Sequence, residues 1–148
     1  MHYLVAVDGS ESGAQALDHA LLLVRGLDGT LTVAYSVEPQ MVVEGGADES
    51  TANASDDRLY TEDPDDAETR GESILAEAEA HADEAGVAAE TVMLYGDPAE
   101  TIAEYAETNG VDGIVVGHRG LSHRAEGLLG SVAKDLLKRA SVPVTVVR

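Results

Sequence analysis

The feature that most constrains this chain is an alternation that runs its whole length. Short apolar, β-leaning segments take turns with longer stretches whose apolar residues recur at helical spacing. HYLVAV is the first short segment, and DGS stops it. Ser10 is a good N-cap, and Glu11 favours a first helical turn through the helix dipole. From there Ala14, Leu17, Leu21 and Val24 fall on one face until Gly26, which reads as the C-cap. TLTVAYSV is a second strand.

The stretch that follows, about 38–66, is acidic, rich in small residues and poor in periodicity, and is expected to be a flexible surface loop. A helix is predicted from about Ala67 to Ala85, with Ile74, Leu75, Ala78 and Ala82 on one face and Gly86 at its end. VAAETVMLYG is a third strand. Asp97-Pro98 is an N-cap followed by a proline at the first helical position, where a missing N–H costs nothing, so AETIAEYAETNG is a third helix. DGIVVG is a nearly continuous apolar strand of the kind buried on both faces of a parallel sheet. The helix SVAKDLLKRA and the strand SVPVTVVR close the chain.

Strands alternating with helices imply right-handed crossovers and a mostly parallel sheet covered on both faces. At 148 residues this is one domain. In such folds ligands sit at the carboxyl ends of the strands, near the point where strand order reverses. Two glycine-containing turns fall there: Asp8-Gly9-Ser10, and the stretch from Gly117 onward.

Composition narrows the partners. The chain has 28 acidic and 9 basic residues, a formal net charge of −19, and a surface of that sign repels nucleic acid and anionic membranes. Only 3% of residues are aromatic, too few for base-stacking platforms, and the absence of cysteine removes disulfides and thiolate metal sites. No signal-peptide pattern opens the sequence and no apolar run has membrane-spanning length, so a soluble cytoplasmic protein is expected. The excess of acid also suggests a host with a high-salt cytoplasm, where screening removes most of the self-repulsion.

The sequence GHRGLSHRAEGLLGS, from Gly117 to Ser131, links the buried DGIVVG strand to the last helix. If Gly130-Ser131 begins that helix, its first-turn amides and dipole make an anion site, commonly a phosphate site. Gly117 and Gly120 would let main-chain amides approach the same anion, Ser131 adds a hydroxyl, and Arg119 or Arg124 could offset polyphosphate charge. The same glycines could instead mark only a strand end and a helix start. The spacing is neither G-x-G-x-x-G nor G-x-x-x-x-G-K-[ST].

G-x-x-G, nine residues, then G-S, here Gly117, Gly120, Gly130 and Ser131, resembles the nucleotide-binding signature of the universal stress protein family. VAVDGSE, the long loop after the second strand, YGDPAETI and SVPVTVVR resemble the family at the same places, so one such domain over 1–148 is expected. The resemblance implies an α/β fold of the adenine nucleotide alpha hydrolase-like, Rossmann-like type: five parallel strands in the order 3-2-1-4-5, with four helices on both faces. It implies the ATP-binding branch of the family, with Mg²⁺ on the nucleotide. By the same resemblance Asp8 should contact the ribose, with Ala6 and Val7 lining the pocket, and Ser36 should lie near the adenine and read it through main-chain groups. Val116, Gly117 and Gly120 should meet ribose and phosphates, while Gly130, Ser131 and Val132 hold the phosphate chain. His118 departs from the smaller residue of many relatives.

The sequence offers no Walker-type Lys and no carboxylate reliably placed against a terminal phosphate, and His118 and His123 read as surface polar groups of the loop. The expectation is therefore an ATP-binding regulatory, stress-response protein rather than an enzyme. A nucleotide-free interaction protein of the same fold is the alternative. A phospho-accepting receiver domain fails, because Asp8 has no acidic neighbour and no Lys follows the last strand. The apolar strand Val142–Arg148 would lie at a sheet edge, and the resemblance implies an antiparallel homodimer through it.

Overall fold

The computed structural model of the chain describes residues 1–38, 41–44, 58–61, 63–120 and 129–148, with 41–44, 58–61 and 64 described by their backbone. Strand β1 (His2–Ala6) leads into helix α1 (Glu11–Leu27) and strand β2 (Thr30–Val37). A short antiparallel pair, β3 (Met41–Glu44) and β4 (Arg58–Thr61), precedes helix α2 (Pro64–Glu84). Strand β5 (Glu90–Tyr95), helix α3 (Pro98–Thr108), strand β6 (Gly113–Gly117), helix α4 (Ser131–Arg139) and strand β7 (Val144–Val147) complete the fold.

The main sheet is parallel throughout, in the order β5-β2-β1-β6-β7. Counting only its own strands, that is the expected 3-2-1-4-5. Neighbouring side chains on a strand point to opposite faces, and the core divides accordingly. Val5, Val33 and Val115 pack with Leu17, Leu21 and Val24 of α1 and Leu75 of α2. Leu4, Ala34, Ile114 and Val116 pack on the other face with Ile102 and Ala106 of α3 and Ala133 and Leu136 of α4. Leu4, Val5, Ile114, Val115 and Leu136 are fully buried, each contributing roughly 1.5–3 kcal/mol by transfer from water. With so few aromatic residues, small side chains let the helices approach closely. At Gly71 of α2 a Cβ would lie 2.6 Å from the ring of Tyr35, so glycine seats this helix against the end of β2.

The helix starts follow the expected caps. Ser10 Oγ accepts from the Gly13 amide, and the Asp97 side chain accepts from the Glu100 amide with Pro98 behind it. Four expectations differ. Helix α1 runs through Gly26 and ends at Asp28, which adopts the left-handed conformation with φ 56° and donates its amide to Val24 O; a short Asx side chain tolerates that region nearly as glycine does. Ala14 is exposed, and Ala16 and Ala20 take its place on the packed face. Helix α2 begins at Pro64, capped by Asp63, because the Asp-Pro signal lies three residues before the first periodic apolar position. Within the expected 38–66 loop, β3 and β4 each hold only four residues and no hairpin turn signal joins them. Residues 39, 40, 45–57 and 62 of that loop lie outside the described residues.

Among the described residues no helix is long and apolar enough to cross a membrane. Strand order reverses at β1, whose neighbours are β2 on one side and β6 on the other. The carboxyl ends of these three strands therefore border a crevice, the usual ligand position in this class of sheet.

Candidate functional site

That crevice is a cavity of about 290 Å³, at the lower bound of the roughly 300–1,000 Å³ typical of ligand pockets. Ala6, Val7, Asp8, Ser36, Val116, Gly117, Gly120, Gly130, Ser131 and Val132 all line it. Four stretches separated in sequence thus meet in one space: the end of β1, the end of β2, the end of β6 with its glycine turn, and the start of α4.

Asp8 is fixed by its neighbour. Its Oδ1 accepts from the Ser10 amide at 2.9 Å and from the Ser10 hydroxyl at 2.5 Å, while that hydroxyl caps α1. One carboxylate oxygen thus serves the start of α1, as a capping residue would, and the residue still lines the cavity. A Cβ at Gly120 would lie 3.1 Å from Oδ2, so the glycine turn closes directly over this carboxylate. Across the cavity the Ser36 hydroxyl lies 3.0 Å from Thr101 Oγ1, which donates to the carbonyls of Asp97 and Pro98. That side chain is engaged with the first turn of α3.

The glycines have a packing reason. A Cβ at Gly117 would lie 2.6 Å from the carbonyl oxygen of Ser12, so β6 can pack against α1 only with glycine there. At Gly130 a Cβ would lie 3.2 Å from His118 O and 3.3 Å from Arg119 Cα, and the Gly130 amide donates to that His118 carbonyl at 2.7 Å. Gly130 thus lies directly against residues 118–120. Gly130 is the N-cap of α4 and offers no side-chain cap, and Ser131 and Val132 of the first turn line the cavity, so the helix start, whose amides and dipole in general favour anions, borders it.

His118 is not among the lining residues; its ring turns toward β7 and Ser12. Arg119 does line the cavity, while Arg124 and His123 lie outside the described residues. Reading the sequence missed Arg70 of α2, together with Tyr35, Glu38 and Ile102. Arg70 carried a signal: it is the single Arg or Lys in a helix otherwise rich in Asp and Glu. Tyr35 and Ile102 carried none, being ordinary apolar positions of a strand and a helix. Among the described residues no group of three or more His, Cys, Asp or Glu could hold a metal ion.

Sheet order, glycine turn and crevice define a Rossmann-like α/β domain with a cavity at its switch point. A model of the universal stress protein family matches residues 1–148, and the chain belongs to that family. It is similar to the universal stress protein YxiE of Bacillus subtilis, 35% identical over 145 residues that cover 98% of this chain and 97% of that protein. The solved structure of the universal stress protein UspA from Lactobacillus plantarum aligns over 100% of this chain and 97% of its own, with a TM-score of 0.78 and 21% identity. A universal stress protein solved in complex with cAMP aligns over 100% and 96%, with a TM-score of 0.66 and 26% identity.

Proposed function

We propose that this protein binds ATP in the crevice, with Mg²⁺ carried on the phosphates, and acts in the cytoplasm as a nucleotide-dependent regulator of a stress response rather than as a fast ATPase. The observation that carries the reading is the convergence of Asp8, Ser36, Gly117, Gly120, Gly130 and Ser131 on one cavity. The relative with bound cAMP supports an adenine ligand. In this reading Ala6, Val7 and Asp8 border the ribose, main-chain groups at Ser36 meet the adenine, and Gly130, Ser131 and Val132 hold the phosphates, with Val116, Gly117 and Gly120 between. Arg119 and Arg70 offset ligand charge within a strongly acidic protein. Mg²⁺ commonly binds through substrate phosphates with only one or two protein ligands, so a dedicated carboxylate cage is not required.

Signalling by conformation or partner contact fits a site without a Walker-type Lys, and the β7 edge that stays unpaired among the described residues supplies a surface for a second copy of the chain. The test is calorimetric titration with ATP and Mg²⁺ in molar KCl, beside Gly130→Val. Saturable binding by the wild type, weakened at least tenfold in the variant, is the expected result. Folded wild type that takes up no ATP would instead favour an interaction protein in which the glycine turn is scaffold. Steady ATP turnover above the Gly130→Val control would overturn the non-enzymatic part of the proposal.

A further inference from the structure

We infer that His118 is a positioning residue that ties occupancy of the cavity to strand β7; the inference rests on the nucleotide-binding reading above. His118 directly follows β6, and its ring lies at the root of the glycine turn, away from the cavity lining. Nδ1 lies 3.2 Å from the Val147 carbonyl oxygen and 3.4 Å from Ser12 Oγ. A carbonyl oxygen can only accept, so Nδ1 carries the hydrogen. The main-chain amide of the same residue donates to the same carbonyl at 2.9 Å. Two donors of one residue therefore converge on the last residue of β7.

The opposite side of His118 reaches the site. Its carbonyl accepts from the Gly130 amide at 2.7 Å, and the following amide, of Arg119, donates to Ser12 Oγ at 3.2 Å. Gly130 is the N-cap of α4 and lines the cavity. An anion drawn onto the α4 amides acts on Gly130, and the close packing of Gly130 against residues 118–120 passes a displacement on to His118. From His118 the link to β7 is direct, made by two hydrogen bonds in parallel onto the Val147 carbonyl. A smaller residue at 118 would keep the main-chain bond and lose the ring bond, so the ring is the part of this link that belongs to the side chain. Coupling of this kind is reciprocal: whatever steadies β7 also tightens the ligand.

Hydrogen exchange at the amides of Val144–Val147 tests this, with and without saturating ATP and Mg²⁺ in molar KCl, in wild type, His118→Ala and His118→Asn. Asparagine can offer an amide N–H near the position of Nδ1. ATP should slow exchange in the wild type and in His118→Asn but not in His118→Ala, whose ATP affinity should fall about fivefold, the loss expected for one net hydrogen bond. Ligand-induced slowing that persists in His118→Ala, or is missing in the wild type, overturns the inference. So does an imidazole NMR spectrum of the wild type showing Nδ1 without its hydrogen. Titration of the same samples separates the failures. Wild type that binds ATP with β7 unchanged refutes only the coupling, whereas folded wild type that binds no ATP refutes the nucleotide reading as well.

Discussion

Ser12 and Gly117 meet so closely that no side chain fits between them. A Cβ at 117 would stand 2.6 Å from the Ser12 carbonyl oxygen, which belongs to the first turn of α1 and cannot swing aside. The contact joins the end of β6 to the start of α1 beside the cavity. Gly117→Ala should therefore destabilise the protein by about 1–3 kcal/mol, the usual cost of overpacking. Denaturant unfolding measures it, and an unchanged midpoint would mean that α1 can retreat.

Asp8 and Ser10 give a second expectation, because one carboxylate oxygen accepts both the amide and the hydroxyl of Ser10. Asp8→Asn keeps the size of the side chain but removes the charge, and an amide nitrogen turned toward Ser10 would meet a donor. Its stability should fall by about 1 kcal/mol through a weakened α1 start. Under the proposed function its ATP affinity should also fall, so unfolding and calorimetric titration are run on the same variant. A loss of stability with ATP affinity unchanged would confine Asp8 to capping.

How much of this could be read from the sequence depends on the range of the interaction concerned. Helix starts at Ser10 and Asp97 were legible because a cap and its amide lie three residues apart. Alternation pointed to a parallel sheet and family resemblance to its strand order, and the buried run GIVV pointed to a strand covered on both faces. The end of α1 was misjudged because Gly26 and Asp28 both suit a helix end, and the left-handed residue is the aspartate. Clashes between Gly117 and Ser12, or between Gly71 and Tyr35, join residues far apart in the chain, and no local pattern announces them. Arg70 reaches the cavity because α2 packs closely on β2 at that point. The ring of His118 turns toward β7 for an equally non-local reason, the position of the Val147 carbonyl.

Tyr95 shows how the acidic surface acts on a neighbour. Its hydroxyl donates to Glu68 Oε2 at 2.6 Å, and its pKa is raised above the ordinary 10.0, first by that hydrogen bond, then by desolvation and by the charges of Glu68 and Glu72. A raised pKa means that the folded state holds the proton more tightly than the unfolded chain. The associated stability is present below the ordinary tyrosine pKa and is lost as pH rises through the folded value. Glu68→Gln should shift the phenolate titration, followed by ultraviolet absorbance, back toward the ordinary value. A titration that stays put would remove Glu68 as the cause.

Strand β7 is the last in the sheet and pairs only with β6 among the described residues, leaving its other edge open. Val144, Val146 and Val147 are each half-buried, and an apolar edge of this kind invites a further strand. Under the proposed function two copies pair antiparallel along Val142–Arg148, with Pro143 limiting the length because it has no N–H to donate. Light scattering at micromolar concentration should give twice the mass of the chain. Val146→Lys, which puts a charge on that edge, should give a monomer, and a monomeric wild type would count against the pairing.

The charge of −19 makes the strongest prediction about conditions. Exposed pairs such as Arg139 with Glu100 at 4.0 Å, which joins α4 to α3, offset some of this charge locally. Pairs with side chains as exposed as these contribute about 0–1 kcal/mol, and salt weakens them. Repulsion among the excess carboxylates acts over the whole surface. Its range contracts from roughly 10 Å at 0.1 M salt to roughly 3 Å at 1 M. The two effects have opposite signs, and with 28 acidic against 9 basic residues the relief of repulsion should win. Lowering KCl from molar to dilute should therefore reduce the thermal midpoint, by about 2–4 °C for each kcal/mol lost in a domain of this size. If the host keeps a high-salt cytoplasm, as the acid excess leads one to expect, dilute buffer should also cost the protein its helical circular dichroism. A spectrum and midpoint unchanged across that range would mean that the acidic surface is balanced within the fold, and that high salt is not its working environment.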